Sequence, residues 1–478
     1  MSKTFYWHDY ETWGADSRRD RPCQFAGLRT DEDLNPLGDP LDLYCRPADD
    51  LLPQPDACLV TNLSPLRAWR KGVVEAEFAA RIERELAAPG TCGVGYNSIR
   101  FDDEFTRNLF YRNFIDPYAR ERQNGNSRWD LIDVLRLAHA LRPQGIAWPK
   151  GAEGLISFRL EDLVAANGID HGQAHEALAD VRATLALARL LKSCQPRLFD
   201  YALSLRDQDK SRDLLTKGQP LLHVSARYPA RLGCIAPVLP ITPDPVNHKG
   251  FICFDLRHDP RILLDLTPAE IRERLFTRTD DLPEGVERIP LKTVHVNRVP
   301  MLAPMATLTP AAAEHWAIDP DDVQRHAKFL REAKDLAGKL GQAYQSGDWP
   351  KETNPDLLIY GGGFFPEADR RLMIKVRQLS PRALAEERFA FVDRRLPTML
   401  FRYRARNWPE TLSPKEQEEW DAWRFERLTD PEAGASITVD KYLDRIAVLR
   451  SEHERDEPKQ ALLDDLVAWC ERIMDVSE

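Results

Sequence analysis

The sequence has no hydrophobic run that approaches the roughly 18 apolar residues needed to cross a bilayer. Its N-terminus passes directly into an aromatic segment and carries no pattern of a cleavable signal peptide. We therefore expect a cytoplasmic protein that makes no contact with a membrane.

Cysteines are few and scattered. The chain has eight of them in 478 residues, and no two form a Cys-x-x-Cys pair. Structural zinc sites and disulfide frameworks depend on closely spaced cysteines, so we expect neither. Isolated thiols of this kind are typical of a reducing cytoplasm.

The chain also lacks an excess of positive charge. It contains 66 Lys and Arg residues against 76 Asp and Glu residues, which gives a formal net charge of −10. Proteins that bind nucleic acid over a wide surface are usually basic. If this protein binds nucleic acid, its cations must be gathered in a channel while its acids are spread elsewhere.

What the sequence does contain is enough apolar material for several cores. Apolar residues make up 43% of the chain and charged residues 30%, as in soluble globular proteins. At 478 residues the chain is too long for one core, and we expect about two to four domains.

The first part of the chain has the pattern of a mixed α/β sheet. Strand patterns at residues 5–8, 24–29 and 43–46 predict a meander. From about residue 73 to 191, helical patterns alternate with a buried strand at 92–96. A meander followed by alternating helices and strands is the order expected of an α/β domain.

The composition changes after residue 196. Short β-rich runs separated by turn signals occupy residues 221–304, with a helical insert at 268–275. This spacing predicts a small barrel. From residue 309 onward the pattern is nearly all helical and amphipathic.

Two acids at the end of the first strand are candidates for metal ligands. Asp9 and Glu11 are two positions apart, so in an extended strand they share one face, with Cα atoms roughly 7 Å apart. Like charges held this close raise each other's pKa unless a cation lies between them. Mg²⁺ or Mn²⁺ would suit such oxygen ligands. The alternative is a strand end with two exposed acids.

A third acid follows the strand at 92–96. Asp102 comes after a short turn, where a side chain can lie over the edge of the sheet. The alternative is that Asp102 simply caps the next helix. Asp103 competes with Asp102 for either role.

A histidine and a fourth acid lie near the start of a later helix. Asp180 falls beside the apolar stripe of Ala177, Val181 and Leu185, and a carboxylate there needs a partner. His175 is five residues earlier, about 140° around a regular helix. The two can converge only if His175 stands at or before the first turn. Otherwise His175 is an ordinary helix-terminal residue and Asp180 a surface acid.

Taken together, these residues resemble the bacterial exonuclease I family, within the His-containing subclass of the DEDD exonucleases. The residues that match the subclass pattern are Asp9, Glu11, Asp102, His175 and Asp180. The segments that resemble exonuclease I, in family order, are residues 8–12, 20–26, 95–104, 126–131, 157–161, 195–201 and 403–407.

The resemblance implies a three-domain exodeoxyribonuclease. We expect a ribonuclease-H-like α/β exonuclease domain at residues 1–195, a Src-homology-3-like barrel at 196–348 and an all-helical domain at 349–478. The family removes nucleotides processively from single-stranded DNA in the 3′→5′ direction and releases 5′-mononucleotides. The resemblance therefore implies a monomer that acts in DNA repair and recombination.

The resemblance also implies roles for the acidic residues and the histidine. Asp9, Glu11 and Asp180 are expected to hold one Mg²⁺ ion, and Asp9 to bridge to a second ion supported by Asp102. Mn²⁺ is an alternative to Mg²⁺. His175 is the expected general base, since its intrinsic pKa lies near neutrality. Glu11 is also expected to contact the substrate.

Further DNA contacts are expected from the matching positions. The guanidinium of Arg159 suits a phosphate. Arg402, Arg404 and Arg406 alternate in sequence, so an extended backbone would aim them the same way as a phosphate-binding row. The remaining candidates are Arg107, Tyr118, Arg136, Arg142 and Tyr201. For each arginine the alternative is solvated surface or, for Arg159, a surface ion pair.

The chain departs from the family pattern in two places. Residues 120–122 are Arg-Glu-Arg where relatives often have a tryptophan, so we expect charge to replace one stacking contact. Residues 301–309 contain no Arg or Lys, although relatives dock the acidic tail of single-stranded DNA-binding protein near this region. That partnership then depends on Arg142 and Tyr201.

Two other functions compete with the exonuclease hypothesis. The first is a non-catalytic single-stranded-DNA-binding scaffold of the same fold, against which the intact set of acids and histidine argues. The second is a ribonuclease or proofreading subunit of the same superfamily. Such proteins are usually single domains, which the roughly 280 residues beyond Gln195 disfavour.

Overall fold

The computed structural model describes residues 3–151, 153–170, 172, 176–345 and 352–475. The chain divides into two compact units. The first combines residues 1–127, 171–185 and 350–478, and the second combines residues 128–170 and 186–349. The chain therefore leaves the first unit and returns to it twice.

The first unit is built on the predicted meander. Its strands are β1 (Thr4–Thr12), β2 (Pro22–Thr30), β3 (Leu41–Tyr44) and β4 (Thr91–Gly95), in the order β3-β2-β1-β4. β2 runs antiparallel to both β1 and β3, whereas β4 is parallel to β1. A parallel neighbour requires a crossover connection, and the helices between β3 and β4 provide it.

Helices pack on this sheet through an aromatic core. Between β3 and β4 lie α1 (Pro55–Thr61), α2 (Pro65–Lys71) and α3 (Glu75–Leu86), and α4 (Asp102–Arg112) follows β4. Phe78 and Ile82 of α3 and Phe110 of α4 are fully buried against Tyr10 and Phe25 of the sheet. The two seven-residue helices were not predicted, because a helix of two turns is too short to show a clear periodicity.

The chain enters the second unit along β5 (Ser127–Asp130) and α5 (Leu131–Leu141). We predicted a helix from Trp129, but Trp129 and Asp130 end a strand and Asp130 caps α5 by accepting from the N–H of Ile132. The helices that follow are α6 (Leu160–Ala166), α7 (Ala177–Cys194), α8 (Pro196–Ser204) and α9 (Gln208–Thr216).

The β-rich region forms a five-stranded antiparallel sheet in the second unit. Its strands are β6 (Leu221–Val224), β7 (Ile235–Pro243), β8 (Gly250–Asp255), β9 (Leu291–His295) and β10 (Met301–Pro304), in the order β10-β6-β7-β8-β9. α10 (Ile262–Asp265) and α11 (Pro268–Phe276) lie between β8 and β9 and confirm the predicted helical insert. A register shift between Pro240 and Thr242 bends β7.

The remainder of the chain is helical, as predicted. In the second unit it forms α12 (Pro310–His315), α13 (Pro320–Glu332) and α14 (Leu336–Tyr344). In the first unit it forms α15 (Glu367–Gln378), α16 (Pro381–Glu386), α17 (Arg395–Asn407), α18 (Pro414–Thr429), α19 (Val439–Glu452) and α20 (Glu457–Met474).

The prediction of an extended arginine row was wrong, because Arg402, Arg404 and Arg406 lie in α17. On a helix, residues two apart point in different directions, whereas residues four apart share a face. The buried residues Leu396, Met399 and Tyr403 have helical spacing. Burying this apolar stripe favours a helix, although the arginines alternate as they would in a strand.

The three arginines bind carboxylates within the first unit. Arg406 lies 3.0 Å from Asp50 and 2.6 Å from Asp356, and Arg402 lies 3.2 Å from Asp356. Arg404 pairs with Glu416 at 2.7 Å. All three side chains are nearly buried, so they serve internal ion pairs and do not form a row for phosphates.

Within the described ranges, every helix is too short or too polar to cross a bilayer. All eight cysteines are free thiols, and seven of them are buried.

Candidate active site

β1 brings two acids to one side of the sheet. Asp9 and Glu11 alternate with His8 and Tyr10, which pack on the opposite side against Phe25 of β2. β1 pairs with β4 only as far as Trp7. The chain that follows β4 is therefore free to approach the acidic end of β1.

A tight turn after β4 carries Asp102 to this end. Gly95 is required there, since a Cβ at Gly95 would lie 2.6 Å from the Cβ of Ser98 and 3.0 Å from the carbonyl oxygen of His8. Asp102 begins α4, and its carboxylate accepts a hydrogen bond of 3.1 Å from the N–H of Tyr10. Asp102 is thus bonded to the strand residue between Asp9 and Glu11.

The structure separates Asp102 from Asp103. The residue that caps α4 is Phe101, so Asp102 is not the helix cap that we considered as an alternative. Asp103 forms an ion pair with Arg120, and both side chains are buried. The hydrogen bond to Tyr10 therefore distinguishes Asp102 from its neighbour as the acid next to β1.

The first turn of α7 supplies the fourth acid. Ala177 and Val181 are buried as predicted, and Asp180 stands between them in the first turn of the helix. Carboxylate oxygens of Asp9, Glu11 and Asp180 lie within 4.8 Å of one another. Folding thus brings together three acids from two distant segments of the chain.

The cluster has the electrostatics of a cation site. Burial, and then the charges of Asp102, Glu11 and Asp180, raise the pKa of Asp9 well above its usual value. Burial and the charges of Asp180 and Asp102 raise the pKa of Glu11 to about 8. An all-carboxylate donor set that repels itself fits a hard divalent cation, which would favour the ionised form of each acid.

His175 lies outside the described residues, so its role as general base stays a prediction. The histidine of β1 was not predicted to have a role. His8 is buried, and burial together with the charge of Arg120 lowers its pKa to about 4. A lowered pKa favours the neutral form of His8 near pH 7. In the sequence, its position next to Asp9 was the only feature that could have drawn attention to His8.

The candidate DNA contacts of the first unit are engaged by neighbouring acids. Arg107 is nearly buried and pairs with Glu104 and Glu121, each at 2.7 Å. Its guanidinium also lies 5.5 Å from the ring centroid of Tyr118. Arg107 is accordingly neither solvated surface nor a freely exposed cation.

The first two residues of the Arg-Glu-Arg segment at 120–122 pair with charged neighbours. Arg120 is 3% exposed and faces Asp103, so it presents no charge at the surface. Glu121 is the partner of Arg107. Asp103 thus pairs with Arg120 in the interior of the unit, and the replacement of a stacking contact by charge within residues 120–122 stays a prediction.

In the second unit, Arg159 and Arg136 differ strongly in exposure. The side chain of Arg159 is 71% exposed and pairs with Glu161, which is the surface ion pair that we considered as its alternative. Arg136 is nearly buried, pairs with Asp133 at 2.6 Å and lies 5.4 Å from the ring centroid of Phe158.

Arg142 and Tyr201 both contact the segment that lacks Lys and Arg. Arg142 donates to the carbonyl oxygen of Thr307 at 3.1 Å. The hydroxyl of Tyr201 donates to the carbonyl oxygen of Leu302 at 2.9 Å. Arg142 thus places a positive charge beside residues 301–309.

Comparison with known proteins assigns the chain to a family. Residues 6–188 match the exonuclease family, residues 206–346 the exonuclease I SH3-like domain and residues 353–473 the exonuclease I C-terminal domain. Exodeoxyribonuclease I of Escherichia coli K12 is 44% identical over 477 residues, covering 99% of both chains. The chain belongs to the exonuclease I family. It is therefore an exonuclease with an α/β catalytic domain, an SH3-like domain and a mostly helical C-terminal domain.

Solved structures of exonuclease I have the same fold. A moderately thermophilic exonuclease I from Methylocaldum szegediense has a TM-score of 0.95 and 47% identity, with 99% of this chain and 100% of that chain covered. The zinc-bound form of the E. coli exonuclease I–single-stranded DNA complex has a TM-score of 0.93 and 44% identity, with 99% and 100% covered. The domain limits at residues 195 and 348 stay predictions.

Proposed function

We propose that this exonuclease degrades single-stranded DNA processively from the 3′ end and releases 5′-mononucleotides. The observation that carries the proposal is the convergence of the carboxylates of Asp9, Glu11 and Asp180 within 4.8 Å in a chain of the exonuclease I family. The E. coli relative has been solved as a complex with single-stranded DNA, which supports that substrate.

The acidic cluster is proposed to hold two Mg²⁺ ions, with Mn²⁺ as an alternative. Asp9, Glu11 and Asp180 would hold one ion, and Asp9 and Asp102 the other. When bound, such a pair of ions activates a water molecule and stabilises the leaving 3′-oxygen. The raised pKa values of Asp9 and Glu11 support this assignment, because a carboxylate cluster of this kind binds cations in exchange for protons.

Other groups of the protein are proposed to orient a metal ligand and to deprotonate the attacking water. The N–H of Tyr10 donates to one oxygen of Asp102, which holds that carboxylate beside β1. His175 is proposed to accept a proton from the attacking water, since an imidazole titrates near neutral pH. Glu11, 8% exposed at the strand end, is also proposed to contact the substrate.

Substrate binding is proposed to use arginines and aromatic rings. Arg159 supports this best, because a guanidinium that is 71% exposed can exchange Glu161 for a phosphate. Arg107, Arg136 and Tyr118 would contribute through the arginine–ring contacts they already make. Arg142 and Tyr201 complete the proposed set.

The proposal extends to a protein partner and to the location of the protein. Arg142, beside residues 301–309, is proposed to contact the acidic tail of single-stranded DNA-binding protein. We also propose that the protein is a cytoplasmic monomer that acts in DNA repair and recombination.

The test uses 5′-labelled single-stranded and duplex DNA with Mg²⁺. We expect a ladder of shortening products on the single strand alone, abolished by EDTA and by Asp9→Ala. Asp42→Ala is the matched control, because Asp42 is an exposed acid on the same sheet, and it should leave the ladder unchanged. Tight binding of the strand without shortening would support the non-catalytic scaffold and overturn the proposal.

A further inference from the structure

A buried ion pair lies directly behind the acidic end of β1. Arg120 and Asp103 are 3% and 2% exposed and pair with each other. Asp103 is the second residue of α4, next to Asp102. The guanidinium of Arg120 therefore acts on the same helical turn that presents Asp102 to β1.

Arg120 and His8 of β1 both lie next to Gly93 of β4. A Cβ on Gly93 would lie 3.3 Å from a terminal nitrogen of Arg120 and 3.7 Å from Nε2 of His8. Because Gly93 has no side chain, the guanidinium and the imidazole can approach each other over β4. Arg120 thus pairs with the first turn of α4 and lies close enough to His8, the residue that precedes Asp9, to influence its charge.

The first turn of α4 is bonded to β1 through Tyr10. The N–H of Tyr10 donates to the carboxylate of Asp102. The hydroxyl of Thr106 donates to the carbonyl oxygen of Asp102 at 2.8 Å and lies 3.0 Å from the hydroxyl of Tyr10. Asp102 and Asp103 are consecutive in this turn, so the backbone that anchors Asp103 to Arg120 also carries Asp102.

We propose that Arg120 is a positioning residue that, by pairing with Asp103 beside His8, holds the first turn of α4 against β1 and so sets the gap between the carboxylates of Asp102 and Asp9. The proposal rests on the metal centre of the proposed function. Groups that orient metal ligands typically change metal affinity by about 10–100-fold when removed. Arg120 would do so without touching the metal or the DNA.

The decisive experiment is calorimetric titration of the full-length protein with Mn²⁺ in the absence of DNA. For Arg120→Met we expect the Mn²⁺ site of lower affinity to weaken about tenfold, with single-stranded DNA affinity in EDTA unchanged. Arg120→Lys keeps the charge and should recover part of the loss. Unchanged Mn²⁺ affinity in a folded Arg120→Met protein would overturn the proposal.

Gly93→Ala tests the same contact without removing a charge. Gly93 does not have a positive φ, so alanine fits the strand, but its Cβ displaces Arg120 by a few tenths of an ångström. We expect a loss of Mn²⁺ affinity of about threefold, smaller than that of Arg120→Met, with no loss of thermal stability. This variant decides the question if Arg120→Met does not fold, and normal Mn²⁺ affinity would then overturn the proposal.

Arg257→Met is the matched control for a purely structural ion pair. Arg257 and Asp255 are also nearly buried, with side-chain exposures of 9% and 8%, and lie 2.6 Å apart in the second unit. Arg257→Met should lower the melting temperature but leave Mn²⁺ affinity unchanged. If the unmodified protein itself binds no Mn²⁺, the metal centre fails and this proposal with it, whereas equal binding by Arg120→Met refutes the positioning role alone.

Discussion

The first unit contains two groups of poorly exposed acids with opposite electrostatics. At the end of β1, burial and neighbouring acids raise the pKa of Asp9 and Glu11. Near α17, burial alone would raise the pKa of Asp50 and Asp356, but Arg21, Arg402 and Arg406 outweigh it and lower both. The first group is proposed to take a cation from solution, whereas the second is neutralised by arginines of the chain itself.

The difference explains why the arginines of α17 are not evidence for where DNA binds. A guanidinium that satisfies a buried carboxylate cannot also neutralise a phosphate without leaving that carboxylate uncompensated. In the described part of the chain, burial and neighbouring acids dominate around Asp9 and Glu11 and raise the pKa of both. The proposed function uses the group whose acids are not paired with arginines in this way.

The largest expected effect is a loss of activity when an acid at the end of β1 is replaced. Asp9→Asn should lower kcat on labelled single-stranded DNA by at least about 10³-fold, since it removes a ligand proposed to be shared by both ions. The same change should not lower the melting temperature of the metal-free protein, because it removes a repelling charge. A variant that retained a tenth of the activity would contradict the proposed metal centre.

Replacing an acid of the group near α17 should lower the stability of the protein and leave its activity unchanged. Asp50→Asn leaves Arg21 and Arg406 facing each other without their shared acid, and we expect a loss of about 3–5 kcal/mol in unfolding free energy. Thermal denaturation measures this loss, and kcat of the folded fraction should be normal. As a control, Arg382→Ala removes an exposed pair with Glu386 and should cost less than about 0.5 kcal/mol.

The two groups should also respond oppositely to pH. The folded pKa of Glu11, about 8, exceeds its usual value of 4.5, so the folded state holds a proton that the unfolded state releases. This contribution to stability is complete below pH 4.5 and is lost as the pH rises through 8. Asp50, with its pKa lowered, contributes stability that is lost as the pH falls instead.

Melting temperatures measured in EDTA between pH 4.5 and 8 test this sign for Glu11. Glu11→Gln should flatten the decline, and saturating Mg²⁺ should remove it, since a bound cation favours the ionised carboxylate. A decline of the same size in Glu11→Gln would show that another group is responsible.

The smallest expected effect is on the salt dependence of DNA binding, which should change for an exposed arginine and not for a buried one. Arg159→Ala should weaken binding of single-stranded DNA and lower the slope of log affinity against log salt concentration by about 0.7, as expected for one lost phosphate contact. Arg402→Met should leave that slope unchanged while lowering the melting temperature, because Arg402 pairs with Asp356. Equal salt slopes for Arg159→Ala and the unmodified protein would remove Arg159 from the DNA contacts.

Several elements of the fold could be predicted because their signals are local. The meander, the helical insert at α11 and the helical C-terminal region follow from short-range periodicity. The arginines of α17 show the limit of this reasoning. Alternation suggested a strand, but Leu396, Met399 and Tyr403 repeat with helical spacing in the same segment, and burial of that stripe decided the conformation.

The sequence also left alternatives that packing resolved. Asp102 and Asp103 are equivalent from spacing alone. Asp103 is distinguished by Arg120, a residue 17 positions later, and Asp102 by a backbone N–H on β1, 92 positions earlier. Contacts of this range depend on how β4 and α4 pack on β1, which no local pattern encodes.

The sequence by itself determined that Asp9 and Glu11 share one face, because a strand alternates its side chains whatever lies around it. It also determined the family, through the resemblance of seven segments in order. Only the tertiary structure brought Asp180 within 4.8 Å of both acids and paired Arg120 with Asp103. The reason is that like charges converge only when the burial of distant apolar residues, such as Val181 and Phe110, outweighs their repulsion.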